Sequence, residues 1–468
     1  MKNPSALSYV NVCLCLVLLL STVSCIRDRE KPHVARQTTE DIATETTLLA
    51  TIANNEKPPK ATPGHTQASS AQNQPPSFQV VFSESGRGVA YIVAKGSNVS
   101  VVHNQRRGKE YAAVGPIVLS PNGQRIAYAA RAAGKWCMVV DGEEGRSYDT
   151  LLTPVFSPDG QHVMYQAKEG DTWYLVVDNR QNGGTMASYT TPEFSSDSAK
   201  IVFVEAADSN SEMKLIVSDL TFGTQNIKRS IGDLLFTTNS DKTRIAAAEV
   251  VGNKLRIIDF SFAEPDIVHT GPLYDVIEKL TFGDDGVSVS YCALNGRTRL
   301  LVLDNREEPL PSGVLPELPV VRPDKKGVGL LLAGQNHVRL HQSFFNNTET
   351  GTMYDEAANL VYSKDARFHA YAARKGRNWF VVVNGKKGPP FDRVVTPLFS
   401  PDSKYLVYRA RKNGKRFVVV ADTSGETIKV HPSYEQVHQA VITPDGKSVA
   451  YGVKDGRRLI WKVEKLVN

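Results

Sequence analysis

The sequence predicts an all-β protein, a β-propeller built from about ten four-stranded repeats of ~40 residues. Three observations carry this. A turn motif recurs at a regular step, each copy is followed by the same succession of strand patterns, and aromatic residues begin abruptly at Phe78 after a segment, Ile26 to Ser77, that has none. With 41% hydrophobic and 22% charged residues among 468, the chain is neither wholly disordered nor collagen-like. Its length allows two to four ordinary domains or one large repeat-built body. The net charge of +6 is too small to announce a nucleic-acid binder.

The turn is clearest in Pro154-Val155-Phe156-Ser157-Pro158-Asp159-Gly160 and Pro397-Leu398-Phe399-Ser400-Pro401-Asp402-Ser403. Related copies put the serine position at Ser83, Ser120, Ser157, Ser195, Thr238, Gly283, Arg322, Ser363, Ser400 and Thr443, a mean step of 40 residues. Pro presets φ, Asp caps its own backbone and Gly takes a positive φ, so each copy ends one strand and starts the next. The second strand alternates, as in His162-Val163-Met164-Tyr165-Gln166-Ala167, and a glycine hairpin follows it. The third is β-branched and aromatic, as in Trp173-Tyr174-Leu175-Val176-Val177-Asp178, and the fourth is shorter and more polar. Residues 128–167 align without a gap on residues 371–410, which reads as block duplication. A single large ring is the simplest closure, while two smaller propellers satisfy the same pattern. The chain ends close after its last strong strand, so closure by face packing with a thin last blade is the expectation.

The pattern P-x-F-S-P-D-G, then x-x-[VIL]-x-Y-x-A, a glycine hairpin, an aromatic residue and V-V-D resembles the TolB-like β-propeller repeat, itself WD-repeat-like. The resemblance covers most of residues 78–468 and implies a propeller. It does not select a function, because that family contains envelope scaffolds, peptidase accessory domains and other secreted proteins.

At the amino terminus, Lys2 is followed by no charge until Arg27, and Val12 to Leu20 is strongly apolar. This reads as an export signal. It closes as Ser21-Thr22-Val23-Ser24-Cys25, which resembles the bacterial lipobox, with Thr22 where a leucine is usual. The resemblance implies cleavage before Cys25 and lipidation of that cysteine. An uncleaved N-terminal membrane helix and an ordinary cleaved signal are the alternatives. The organisation expected is therefore residues 1–25 as signal, 26–77 as a disordered tether and 78–468 as the propeller array. Tether charges cancel, leaving +5 on the propeller. The remaining cysteines, Cys137 and Cys292, read as buried free thiols rather than a disulfide.

No G-x-S-x-G elbow, phosphate-binding glycine loop or metal-ligand spacing occurs, so no catalytic residue, cofactor or metal is assigned. The recurrent aspartates belong to turns, and Trp136, Trp173 and Trp379 belong to the packing between blades. One feature exceeds structure. The hairpins between second and third strands of units 8, 9 and 10 carry Arg374, Lys375 and Arg377, then Arg409, Arg411, Lys412, Lys415 and Arg416, then Lys454, Arg457 and Arg458. A propeller sets them side by side on one face, whereas unit 3 has Glu169-Gly170-Asp171 and unit 4 has Asp208 to Glu212 there. A basic arc attracts anionic partners. The reading is a non-catalytic cell-envelope lipoprotein, exported, membrane-anchored and periplasmic. Its propeller would be an interaction scaffold for an envelope protein or an anionic glycan such as peptidoglycan, with no nucleic-acid partner. The alternatives are a propeller-type hydrolase or lyase with its site at the channel mouth, and a surface-exposed adhesin.

Overall fold

A computed structural model of the chain describes residues 42–59, 78–182, 190–206, 213–343 and 351–467. These residues form antiparallel sheets in chain order. Unit 2 is representative, with strands Ala113–Leu119, Ile126–Ala132, Lys135–Val140 and Glu143–Tyr148 hydrogen-bonded in sequence. In unit 3 the innermost strand is split into Thr150–Leu151 and Val155–Phe156, both paired to Val163–Glu169. Gln225–Thr238 serves two sheets, as the outer strand of unit 4 and the inner strand of unit 5, so those units run together as seven strands.

Ten turns of one construction punctuate the described residues. In each, the backbone N–H of the serine-equivalent residue donates to the carbonyl five residues on, as from Ser157 to His162 at 2.9 Å. The residue three places on returns an N–H to that serine-equivalent carbonyl, as from Gly160 to Ser157 at 2.8 Å. That residue has positive φ throughout, whether Gly160 at 72° or Lys325 at 60° and Ala366 at 62°. The fifth copy is centred on Asn239 rather than on Thr238, because Asn239 N–H reaches Arg244 and its side-chain oxygen accepts the Arg244 N–H.

Each sheet packs on the next through inward-facing aliphatic and aromatic residues. Ile92, Val101, Tyr128 and Val139 join units 1 and 2, and Leu301, Leu303, Val321 and Leu330 join units 6 and 7. Trp379 is 6% exposed in the cluster between units 8 and 9, while Trp136 and Trp173 pack against equivalent clusters, so the tryptophans belong to the core. Arg131 faces Trp136 as Arg374 faces Trp379, which places the duplicated blocks in one register. Cys137 and Cys292 are buried free thiols.

Two expectations are corrected here. Residues 42–59, assigned to a disordered tether, are ordered, and the last sheet is not thin. Thr47–Thr51 pairs antiparallel with Arg458–Lys465, giving unit 10 the fourth strand that its C-terminal residues do not supply. The physical reason is the edge of Arg458–Lys465, whose backbone groups would otherwise lack a ladder. Ala50, Ile52 and Leu459 then pack with Val80, Tyr91 and Val102, so the last unit is seated on the first. Cys25, the signal and residues 26–41 and 60–77 lie outside the described residues.

Candidate functional site

The strands order the surface into two faces. One carries the Ser-Pro-Asp-Gly-type turns and the turns between third and fourth strands. The other carries the hairpins between second and third strands together with the linkers between units.

On the turn face the recurrent aspartates are engaged in backbone bonding. Ser400 Oγ donates to Asp402 Oδ1 at 2.6 Å while accepting the Tyr405 N–H, and Asp402 Oδ1 accepts the Lys404 N–H. The hydrogen bond from Ser400 and the Lys404 N–H outweigh desolvation and hold the Asp402 carboxyl below its ordinary range. Asp159, Asp197, Asp365 and Asp445 make the same bonds. The V-V-D motif also has a structural purpose. Asp141, Asp178 and Asp304 have positive φ, and each accepts, at 2.9 Å, the N–H of the first residue of its unit's second strand.

The linkers on the opposite face contain a second repeated signal, G-x-x-[YF]-[DE], that inspection of the turns alone overlooks. It runs Gly145 to Asp149, Gly271 to Asp275, Gly351 to Asp355 and Gly388 to Asp392. The tyrosine packs edge-on against a tyrosine of the next unit, as Tyr274 does on Tyr291 at 5.9 Å. In two of the four linkers its hydroxyl donates to the next outer strand, from Tyr148 to Gln181 at 3.2 Å and from Tyr274 to Glu307 at 2.6 Å. Burial and that carboxylate push the Tyr274 pKa far up. The acidic residue caps the hairpin glycine beyond, Asp355 Oδ2 accepting the Gly376 N–H at 2.7 Å.

These linker carboxylates divide the proposed basic arc. Arg374 is held by Glu356 at 2.6 Å and lies 3.6 Å from Asp355, which also faces Lys375 at 3.7 Å. Lys454 is buried against Glu435, and Arg458 pairs with Asp455 at 2.5 Å. Arg409 and Arg416 donate to the backbone carbonyls of Val437 and Glu435. Arg457 donates to the carbonyls of Ala53 and Asn54, and so ties down the segment following the N-terminal strand. Arg377, Lys412 and Lys415 are exposed and Arg411 half-buried, and among the described residues none of the four has a carboxylate partner. Of the eleven cations, four are paired with carboxylates and three donate to backbone carbonyls, which leaves these four, on neighbouring hairpins of units 8 and 9, as the cations presented to solvent without a carboxylate. In unit 3, Glu169 pairs with Arg146, and Asp208 to Glu212 lie outside the described residues.

The described histidines are dispersed, and among the described residues no group of three His, Cys, Asp or Glu side chains is arranged to hold a metal ion. His341 Nε2 lies 2.7 Å from Ser343 Oγ, but the two residues are 3% and 1% exposed within their sheet interface. His431 stands where other linkers have glycine, and its Nδ1 lies 2.8 Å from Glu464, which also accepts the Tyr451 hydroxyl. A cavity of about 150 Å³ opens between units 5 and 6, with Asp259, His269, Tyr291, Asp304 and Asn305 in its wall.

No family model matches this chain, and no curated protein does. Among solved structures it is similar to a eukaryotic initiation factor at 13% identity, over 75% of this chain and 97% of the other, with a TM-score of 0.43. TolB from Acinetobacter baumannii is 15% identical over 61% of this chain and 79% of its own, with a TM-score of 0.28. The β-propeller domain of the Trilobed protease from Pyrococcus furiosus is 10% identical over 61% and 99%, with a TM-score of 0.34. The likeness is one of fold, and the propeller assignment rests on the sheets, turns and interfaces above.

Proposed function

We propose that this chain is a non-catalytic scaffold of the bacterial cell envelope, exported and anchored through a lipid on Cys25, with a single ring of ten blades that binds an anionic partner. The observation that carries the reading is the separation of charges on the hairpin face. Arg374, Lys375, Lys454 and Arg458 are neutralised by carboxylates, whereas Arg377, Arg411, Lys412 and Lys415 are not. Unpaired surface cations on a rigid frame raise the local concentration of anions and steer their approach. The partner class is an acidic envelope protein or an anionic glycan such as peptidoglycan.

The test is co-sedimentation of the full chain with purified peptidoglycan sacculi across a salt series. Replacing Arg377, Arg411, Lys412 and Lys415 together by Gln is expected to lower binding several-fold at low salt and to flatten its salt dependence. Replacing Arg374 and Lys375 instead is expected to alter stability more than binding. Wild-type binding by the four-residue variant would overturn the reading. Anchoring is tested separately, since Cys25→Ser is expected to move the protein from the membrane to the soluble fraction.

A further inference from the structure

The path of residues 42–59 fixes where the chain enters the ring. Thr47 lies opposite Trp461 and Thr51 opposite Arg458, and Arg458 begins its strand at the hairpin face. The N-terminal strand therefore runs from the turn face to the hairpin face. Upstream, the Ala43 N–H donates to the Ser85 carbonyl, inside the first Ser-x-x-Gly turn, and Trp461 Nε1 donates to the Ala43 carbonyl at 3.2 Å. Ile42 is 5% exposed against Ala450 and Trp461. Downstream, Ile52 bonds to Arg457, and Lys57 bridges to Ala94 at the hairpin end of unit 1.

We infer that the anchored ring is oriented, with its turn face toward the membrane and its hairpin face displayed away from it. The inference rests on the proposed anchor at Cys25. Residues 26–41 are then the 16 residues that join the anchor to Ile42 at the turn face. A seven-residue strand such as His369–Lys375 separates the faces by ~23 Å. Because this segment is fastened at the turn face, the hairpin face is the remote one, and Arg377, Arg411, Lys412 and Lys415 look away from the anchoring bilayer. Their anionic partner is accordingly not the headgroups of that bilayer.

Resonance energy transfer to a lipid-embedded dye tests this. The full chain, reconstituted in phosphatidylcholine vesicles with and without phosphatidylglycerol, is labelled at Lys364→Cys on the turn face or Asn378→Cys on the hairpin face of unit 8. The parent chain supplies the background. Several-fold greater transfer from position 364 than from position 378, unchanged by phosphatidylglycerol, is expected. Equal transfer would overturn the orientation, and so would an inversion on adding phosphatidylglycerol, which would make the cations a headgroup site. The anchor is judged independently: a chain that stays membrane-bound as Cys25→Ser refutes lipidation as its attachment while leaving the transfer ratio to decide orientation.

Discussion

Arg107 Nη2 meets Glu56 Oε1 at 2.5 Å, joining the segment behind the N-terminal strand to the outer strand of unit 1. At three other interfaces a linker tyrosine donates to the next outer strand, among them Tyr111 to Glu144 at 2.8 Å and Tyr274 to Glu307 at 2.6 Å. Arg107 holds the register of Glu144 and Glu307, the second residue of its strand, and Ala50 stands opposite Leu459 where Tyr148 stands opposite Trp136. The closing interface thus reverses the polarity of the contact, with the acceptor arriving from the incoming strand.

Glu56 is 8% exposed and also accepts the Tyr91 hydroxyl at 3.3 Å and the Ala53 N–H at 3.0 Å. Glu56→Ala therefore leaves several buried or half-buried donors without an acceptor and is expected to cost about 1–3 kcal/mol in urea unfolding. Arg107→Ala should cost less, because its side chain is 42% exposed and water replaces part of the contact. Equal losses, or none from Glu56→Ala, would show that the ring does not depend on this contact.

Asp304 has φ of 46° and accepts the Val289 N–H at 2.9 Å. Asp304→Ala removes that acceptor and puts an alanine into a left-handed conformation, for an expected loss of about 1–2 kcal/mol. Asp304→Asn should be close to neutral, since Asn104 and Asn384 perform the same bond at the equivalent places. Denaturation midpoints of the two variants check both statements, and an Asn variant as unstable as the Ala variant would assign the role to charge instead.

His369 and His438 are both pushed down to about 4 by burial, with Arg409 and Arg416 adding to the effect at His438. His369 sits against Tyr362 and Tyr371 with Gln342 Nε2 3.3 Å from its ring nitrogen, and His438 sits against Phe82. The folded state thus keeps both imidazoles neutral where the unfolded chain, with histidine near ~6.5, takes up protons. Stability conferred in this way is complete above pH ~6.5 and falls as pH drops toward about 4, by on the order of 3 kcal/mol per histidine. The turn aspartates lose their share lower still, because their carboxyls are depressed, Asp285 to about 2. Urea midpoints at pH 7.5 and pH 5 should differ measurably, and His369→Gln should reduce the difference. A midpoint flat over that interval would contradict burial of the neutral rings.

How much of this was legible depended on how local the signal is. The turn declares itself because Ser157, Asp159 and Gly160 bond to one another within six residues, and the tryptophans because one strand position repeats. Charge compensation was not legible in the same way. Glu356 and Glu435 stand 18 and 19 residues before Arg374 and Lys454, and only the fold lays a linker beside the hairpin that follows it. The closing strand was hidden for a different reason. Thr47–Thr51 is five residues long, places Ala50 inward while Leu48 is 55% exposed, and lies in a polar stretch without aromatics. Its strand character comes from the edge that it meets, as is usual when tertiary context overrides propensity.

That edge supplies the last prediction. Deleting residues 1–41 keeps Ile42, Ala50 and Ile52 and the ladder of Thr47–Thr51, and should therefore leave cooperative unfolding of the ring nearly unchanged. Deleting residues 1–59 removes Ile42, Ala50 and Ile52, which are 5%, 2% and 0% exposed, and uncovers Leu459 and Trp461, which are 0% and 2% exposed. Losing the two isoleucines alone should cost about 3–6 kcal/mol. The bare edge of Arg458–Lys465 is also a template for pairing with another chain, so the shorter protein should self-associate on size exclusion. A synthetic peptide of residues 42–59 added in trans should restore the thermal midpoint and the monomeric elution, because it returns the ladder from Thr47 to Thr51 and the acceptor for Arg107. If the 1–59 deletion melts where the 1–41 deletion does, unit 10 holds without its borrowed strand, and the strand is an ornament on a ring closed by face packing.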